Sequence, residues 1–297
     1  MTIDIAKNTA DIRKLGTAIT MPSLEGSQAV FAPHHEKEPY QGVKIARDLS
    51  YGPDERNRLD LFAPEKIAGK LPILVFVHGG GFVGGDKKRP GSPYQDNVAL
   101  WAVHHGMIGI NVTYRLAPQH QWPAGAEDVG AAVKFLIAHA AEHGGDPDRI
   151  FVMGTSAGAV HVASYVANAR FHPAGKPAAA GAILLSGIYD LETAKSGRPA
   201  DLYYGSDVSK YRDYSSLPGL IETKVPLMVV LAEFDPVEFE RQALQLVQTY
   251  FQRHGHWPYF IRLMGHNHYT ATLHLNSGDD YLGRQIAEFV RVTEAAS

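Results

Sequence analysis

A serine flanked by glycines, in the segment Gly154-Thr155-Ser156-Ala157-Gly158, is the residue of this chain best suited to act as a nucleophile. The apolar run at residues 150–153 precedes this segment, and a helical pattern at residues 159–170 follows it. A strand that turns sharply into a helix exposes a serine hydroxyl at the edge of a sheet. The flanking glycines permit such a turn because they carry no side chain. The pattern therefore predicts covalent chemistry at Ser156.

A second glycine-rich segment, His78-Gly79-Gly80-Gly81-Phe82, follows the apolar run at residues 73–77. Its backbone N–H groups could bind the negative oxygen that develops when a serine attacks a carbonyl carbon. Either segment alone is a weak signal, because short glycine patterns arise by chance. Both segments in this order, each after a strand that reads as buried, strongly favour acyl-transfer chemistry.

A serine hydroxyl also needs a base to remove its proton and a carboxylate to orient that base. In a strand-turn-serine architecture the acid and then the histidine follow the serine, each on a loop after a late strand. The strand at residues 225–231 precedes Asp235, and the strand at residues 259–263 precedes His268. Other residues leave the choice open. For the acid they are Asp190, which follows the strand at residues 182–185, and Glu233 and Glu238, which are close to Asp235; for the base the alternative is His266.

The amino-acid composition excludes several classes of protein and of site. The 297 residues are 45% hydrophobic and 20% charged, as in ordinary soluble domains. A net charge of −3 with mixed signs offers no basic surface for nucleic acid. The absence of cysteine excludes disulfides, thiolate nucleophiles and cysteine-zinc sites. We find neither a secretory apolar core at the start nor a membrane-spanning run, so we expect a cytoplasmic protein that does not bind membranes.

The alternation of short apolar runs with helical patterns from residue 42 onward predicts an α/β fold with a mostly parallel sheet. About eight strands are expected, at residues 43–49, 59–62, 71–77, 107–114, 150–153, 182–185, 225–231 and 259–263. The clearest helices are expected at residues 96–105, 123–143 and 279–293.

Several motifs together resemble one family. The HGGGF segment, Tyr114-Arg115-Leu116-Ala117-Pro118, the GTSAG segment, the Asp-Pro pair and the late Gly-x-x-His-aromatic ending are similar to the hormone-sensitive-lipase-like esterases. The similarity covers roughly residues 47–292. The glycine-turn strand pair at residues 51–61 and the Gly-His-Asn-His-Tyr ending also resemble the kynurenine-formamidase-like and feruloyl-esterase-like branch.

The resemblance implies an α/β-hydrolase fold with an eight-stranded, mostly parallel sheet flanked by helices. It implies Asp235 as the acid, His268 as the base, and an oxyanion hole made by the backbone N–H groups of Gly80, Gly81 and Ala157. In some relatives the last strand and helix form homodimer contacts, so the resemblance allows a homodimer.

Two segments do not fit the alternation of strands and helices. Residues 1–41 and an insertion at about residues 187–224 are expected to form a small lid on the α/β-hydrolase domain at residues 42–297. Such segments tend to cover the carboxyl ends of strands, where ligands bind in α/β proteins. Aromatic side chains there could line an apolar cleft, and we name Phe82, Trp122 and Tyr203 as substrate contacts.

The resulting hypothesis is a serine hydrolase of the carboxylesterase type, which cleaves short acyl or aryl esters through an acyl-serine. Its partner would be a small-molecule ester, and the chemistry requires no cofactor and no metal. Two other functions stay open: an amidase or arylformamidase with the same triad, and a non-catalytic binding protein on the same fold. His78, Arg115 and Asp128 are expected to brace the glycine loop, and His161 to be a polar core residue.

Overall fold

The computed structural model describes residues 3–174, 179–194 and 198–295. The predicted lid segments are therefore described except for residues 1–2 and 195–197, which lie outside that part of the chain. The strands are β1 (Val43–Ser50), β2 (Arg58–Pro64), β3 (Leu71–Val77), β4 (Ile108–Val112), β5 (Gly145–Thr155), β6 (Gly181–Leu185), β7 (Leu227–Phe234) and β8 (Tyr259–Asn267).

These strands form one eight-stranded sheet in the order β1-β2-β4-β3-β5-β6-β7-β8. Strand β2 runs antiparallel to its neighbours β1 and β4, and the other neighbouring pairs are parallel. Residues 72–77 of β3 are all apolar or proline and all buried, as expected for a parallel strand that is covered on both faces. The predicted eight-stranded, mostly parallel sheet is confirmed.

Helices cover both faces of the sheet. They are α1 (Ile5–Leu15), α2 (Met21–Phe31), α3 (Asp96–His104), α4 (Ala124–His139), α5 (Ala157–Ala167), α6 (Arg198–Tyr204), α7 (Tyr211–Tyr214), α8 (Leu217–Glu222), α9 (Val237–His254), α10 (Thr270–Leu273) and α11 (Tyr281–Ala295). Helices α4, α5 and α9 pack on one face of the sheet, and α3 and α11 pack on the other. The hydrophobic core thus has two layers.

The N-terminal segment, predicted only as part of a lid, contains the helices α1 and α2. Pro22 lies in the first turn of α2, where a missing N–H does no harm because that group has no helical acceptor. Helix α1 packs against β8, and α2 packs against α1 and α10. The side-chain amide of Asn267 donates to Ser27 Oγ over 3.0 Å, and Tyr269 Oη donates to the carbonyl of Thr20 over 3.3 Å. Residues 3–41 therefore lie against the loop that follows β8.

A buried charge network connects β1 to β2 and to α3. The Arg47 guanidinium lies 2.8 Å from Asp60 Oδ2 and 2.6 Å from Asp96 Oδ2, and both carboxylates are fully buried. These hydrogen bonds raise the pKa of Arg47 despite its partial burial. Lys87 also lies 2.8 Å from Asp60. Two buried negative charges thus depend on cations from elsewhere in the chain.

We predict that Arg47→Met lowers the free energy of unfolding by about 3 kcal/mol. The substitution keeps an unbranched side chain but removes the guanidinium, which lies over the Phe62 ring and is the closest cation to Asp96. The loss is expected at the low end for a broken buried ion pair, because Lys87 still neutralises Asp60. Urea unfolding measures the change. Arg291→Met removes an exposed pair with Glu288 and serves as the control; equal losses in both variants would contradict the prediction.

Candidate active site

Ser156 lies on the turn between β5 and α5. Its backbone has φ 54° and ψ −122°, a conformation that a residue with a Cβ adopts only when its surroundings enforce it. Its N–H donates to the carbonyl of Leu185 on β6 over 2.9 Å, and the residue is half-buried. The serine therefore sits at the carboxyl edge of the sheet with a fixed main chain.

The two glycines of the motif permit this turn because no side chain fits there. A Cβ on Gly158 would lie 2.1 Å from the carbonyl oxygen of Val77, and one on Gly154 would lie 2.3 Å from the carbonyl oxygen of Gly158. Such distances are far shorter than any van der Waals contact. The first turn of α5 thus packs directly on the main chain of β3 and β5, and this contact positions Ser156.

The glycine-rich loop lies beside the serine. A Cβ on Gly79 would be 3.2 Å from Ser156 Cβ, and the next residues, Gly80 and Gly81, have φ of 140° and 60°. Within the described residues, the N–H groups of Gly80 and Gly81 donate no hydrogen bond. The N–H of Ala157, the first residue of α5, has no acceptor inside its helix. These three donors are available to an anionic oxygen.

Buried side chains brace the loop. The Nδ1 of His78 lies 2.7 Å from the carbonyl oxygen of Gly79, and Tyr114 Oη donates to the carbonyl of His78 over 3.0 Å. Burial lowers the pKa of His78 to about 4, so its imidazole is neutral at neutral pH. Arg115 Nε donates to Asp128 Oδ1 over 2.9 Å. The bracing contact expected for His78 is confirmed. Arg115 and Asp128 form the expected pair, but its further hydrogen bonds among the described residues go to Asn57, Ala124 and Glu127 and not to the glycine loop.

Asp235, which follows β7, accepts three hydrogen bonds in a buried position. The donors are Ser186 Oγ at 2.6 Å, the N–H of Ala232 at 2.7 Å and His268 Nδ1 at 2.7 Å. Because Nδ1 carries the proton in this hydrogen bond, Nε2 of the neutral imidazole has the free lone pair. The structure therefore offers a base at His268, already oriented by a carboxylate.

The alternative acids and the alternative base contact other groups. Asp190 accepts from the side chains of Thr193 and Gln245, and Glu233 accepts from the N–H of Gly265 over 2.7 Å. Glu238 lies 3.7 Å from Arg241. The Nε2 of His266 lies 3.3 Å from Asp279 Oδ2. The structure thus pairs Asp235 with His268.

Ser156, Asp235 and His268 follow β5, β7 and β8, strands that are linked through β6 by parallel pairing. All three residues therefore lie at the same carboxyl edge of the sheet. The hydrogen bonds of the described residues include none between Ser156 Oγ and His268. In hydrolases this hydrogen bond often tightens only in the complex with substrate.

Aromatic side chains from the 187–224 segment pack next to the serine. Phe82 stacks on Tyr203 with ring centroids 4.6 Å apart and belongs to one apolar cluster with Ala157 and Val160. Tyr203 is only 1% exposed, so it supports Phe82 and does not line a cleft. Trp122 stacks on Tyr214 at 4.0 Å. His161 is buried in the same region, as expected.

A cavity of about 600 Å³ lies next to Asp235. It is lined by Asp235, Phe239 and the N-terminal residues 17–19, among others. The ring of Phe239 is 4.6 Å from the ring of His268. A larger cavity of about 760 Å³ lies at the Arg115–Asp128 pair and touches none of the predicted catalytic residues.

The sequence analysis missed two residues of this site, Ser186 and Phe239. Ser186 directly follows β6 and, like Ser156, has a positive φ, which is 49°. Its position after a buried strand was the signal in the sequence that could have identified it. Phe239 lies in the first turn of α9, and only the tertiary structure brings it to His268.

None of the helices in the described part of the chain is long and apolar enough to cross a lipid bilayer.

Comparisons with known proteins agree with this architecture. The family model BD-FAE matches residues 59–174, a range that contains both glycine-rich motifs. Esterase LipQ of Mycobacterium tuberculosis is 31% identical over 199 residues, which are 64% of this chain and 46% of LipQ. Carboxylesterase NlhH of the same species is 43% identical over 99 residues, which are 33% of this chain and 30% of NlhH. The chain spans less than half the length of these relatives.

Among solved structures, an esterase from the bacterial hormone-sensitive lipase (HSL) family is similar over 97% of each chain, with a TM-score of 0.70 and 21% sequence identity. This likeness confirms the α/β-hydrolase fold. The esterase relatives support the resemblance to esterases that the motifs indicated.

We predict that Gly158→Ala destabilises the protein by about 1–3 kcal/mol or more, because its Cβ would overlap a main-chain oxygen that cannot move away cheaply. Gly84→Ala is the matched control in the neighbouring loop, since its Cβ would meet nothing closer than 3.7 Å. Urea unfolding compares the two variants. A Gly158→Ala protein as stable as the control would show that the close approach of α5 does not constrain the fold.

Proposed function

We propose that this α/β-hydrolase-fold chain, a relative of carboxylesterases, is a serine carboxylesterase that cleaves carboxylic esters through an acyl-serine intermediate. The observation that carries the proposal is the buried 2.7 Å hydrogen bond between Asp235 and His268. It lies at the same edge of the sheet as a serine on a strained strand-to-helix turn. Three unbonded N–H groups lie beside that serine.

The first half of the reaction forms the acyl-enzyme. His268 Nε2 takes the proton from Ser156 Oγ as this oxygen attacks the ester carbonyl carbon. The carbonyl oxygen becomes negative and accepts hydrogen bonds from the N–H groups of Gly80, Gly81 and Ala157. The tetrahedral intermediate then collapses, the bond to the alcohol oxygen breaks, and His268 returns its proton to the leaving alcohol.

The second half uses water. His268 removes a proton from the water as it attacks the acyl carbon, and the Ser156 oxygen leaves with the proton that His268 returns. Asp235 stabilises the imidazolium in both halves. Ser186 and the N–H of Ala232 fix the Asp235 carboxylate, so Asp235 keeps its orientation while His268 gains and loses charge. The positive end of the α5 dipole points toward the oxyanion and favours its formation.

We also propose that the 187–224 segment and the N-terminal segment form walls of the substrate cleft. The 187–224 segment packs its tyrosines around Phe82, next to Ala157. The N-terminal segment contributes residues 17–19 to the cavity that reaches Asp235. Phe82 and Trp122 are the aromatic residues we assign to substrate contact, and the limited space beside Ser156 favours short acyl or aryl groups.

We predict that Ser156→Ala lowers the hydrolysis of p-nitrophenyl butyrate by about 10⁴-fold or more, because no other group can form the acyl-enzyme. The variant should also lose covalent labelling by a fluorophosphonate probe, with an unchanged melting temperature. Ser206→Ala, at an exposed position of the 187–224 segment, should retain both activities. A Ser156→Ala protein that is still labelled or still active would overturn the assignment.

We predict that kcat/KM is highest for acetyl and butyryl esters and falls steeply toward the palmitoyl ester, since Phe82 and its tyrosine neighbours fill the space beside Ala157. A series of p-nitrophenyl esters measures this dependence. Phe82→Ala should move the optimum toward longer chains, whereas Trp257→Ala, at an exposed aromatic residue, should not. A rate that climbs steadily with acyl length in the unmodified enzyme would count against a short-chain cleft.

A further inference from the structure

Three metal-ligating side chains meet in the interior, close to the candidate base but not bonded to it. His266 lies near the end of β8, His274 directly follows α10, and Asp279 lies in the loop before α11. Their exposed fractions are 4%, 0% and 5%. One ligand atom from each residue lies within 4.8 Å of the other two. Buried groups of this chemistry need partners, and the protein supplies few.

We propose that His266, His274 and Asp279 bind a divalent transition-metal ion, with zinc as the best match, and that the ion stabilises the segment carrying His268. The proposal does not depend on the esterase activity. The sequence analysis did not anticipate it, because these three positions match no recognised ligand spacing and only the tertiary structure brings them together.

His274 is prepared as a ligand by its own hydrogen bond. Its Nδ1 lies 2.6 Å from the carbonyl oxygen of Thr270, so Nδ1 carries the proton and donates it. The free lone pair is therefore on Nε2, which is buried and has no hydrogen-bond partner among the described residues. A backbone carbonyl that fixes the tautomer of a histidine in this way is the usual support of a metal-ligating imidazole.

His266 and Asp279 present their atoms as two ligands of one ion would. The Nε2 of His266 lies 3.3 Å from Asp279 Oδ2. Ligand bonds of about 2.0–2.1 Å in a tetrahedral site place neighbouring ligand atoms about 3.3 Å apart. The other ring nitrogen of His266, Nδ1, is buried and finds no hydrogen-bond partner in the part of the chain that the structure describes. The pair thus has the spacing of metal ligands.

Aromatic rings bury the site, and the chemistry of its ligand atoms favours one class of ion. The rings of His266 and His274 are 4.2 Å apart, and Phe31 from α2 packs against both, at 6.0 and 6.2 Å. Two imidazoles and one carboxylate suit zinc and similar transition metals, whereas calcium and magnesium require mostly oxygen ligands. An ion there would link β8 to the start of α11 across the loop that holds His268.

The test uses the full-length protein purified without a polyhistidine tag, from cells grown with added zinc. After dialysis against metal-free buffer, elemental analysis should find about one equivalent of transition metal per chain. His274→Ala and Asp279→Asn should lose the metal. Asp280→Asn, which changes the neighbouring exposed carboxylate, and Ser156→Ala should retain it, so this result is independent of esterase activity.

A second measurement keeps the proposal falsifiable if a variant fails to fold. A chelator should lower the melting temperature of the unmodified protein, and added zinc should restore it. Calorimetric titration of the chelator-treated protein with zinc should show one site. The absence of bound metal, of zinc binding and of a chelator effect would overturn the proposal, as would equal metal loss in Asp280→Asn.

Discussion

The direct contact between the first turn of α5 and the main chain of β3 and β5 is the constraint on which the rest of the site depends. Gly154 and Gly158 leave no space for a Cβ, so the helix starts almost on top of the strand ends. The turn at Ser156 is forced to a positive φ, and the Ala157 N–H emerges beside the 78–82 loop. Nucleophile and oxyanion donors are therefore positioned by the same contact.

A second set of contacts fixes the acid and the base. Asp235 is held by Ser186 and by the N–H of Ala232, and it in turn orients His268. The loop that carries His268 is covered by the N-terminal helices through Asn267 and Tyr269. The proposed metal site would tie the same loop to α11. Several long-range contacts thus converge on one imidazole, whose orientation must be precise for proton transfer.

Much of the fold was predictable because a buried parallel strand has an apolar sequence. The apolar runs of this chain are short and have clear ends. Strand β3 was predicted with its observed limits, whereas β5 begins five residues earlier than its apolar part, at Gly145. Residues 1–41 were predicted only as part of a lid, without limits for the two helices that they form. Pro22 lies in the first turn of α2, where a helix tolerates proline. The similar solved structure confirmed the fold. The esterase relative supports the resemblance that the motifs had indicated.

The sequence by itself determined the local features: the sharp turn at Ser156, the glycine loop and the identity of the strands. Each depends on neighbouring residues, whose backbone preferences and apolar character are visible in the chain. Only the tertiary structure decided which carboxylate meets which histidine. Asp235 and Asp190 both follow strands, and His266 lies near the end of β8 with His268 directly after it. The choice depends on register and on contacts between residues far apart in sequence. Such contacts follow from packing of the whole chain, which no local pattern encodes.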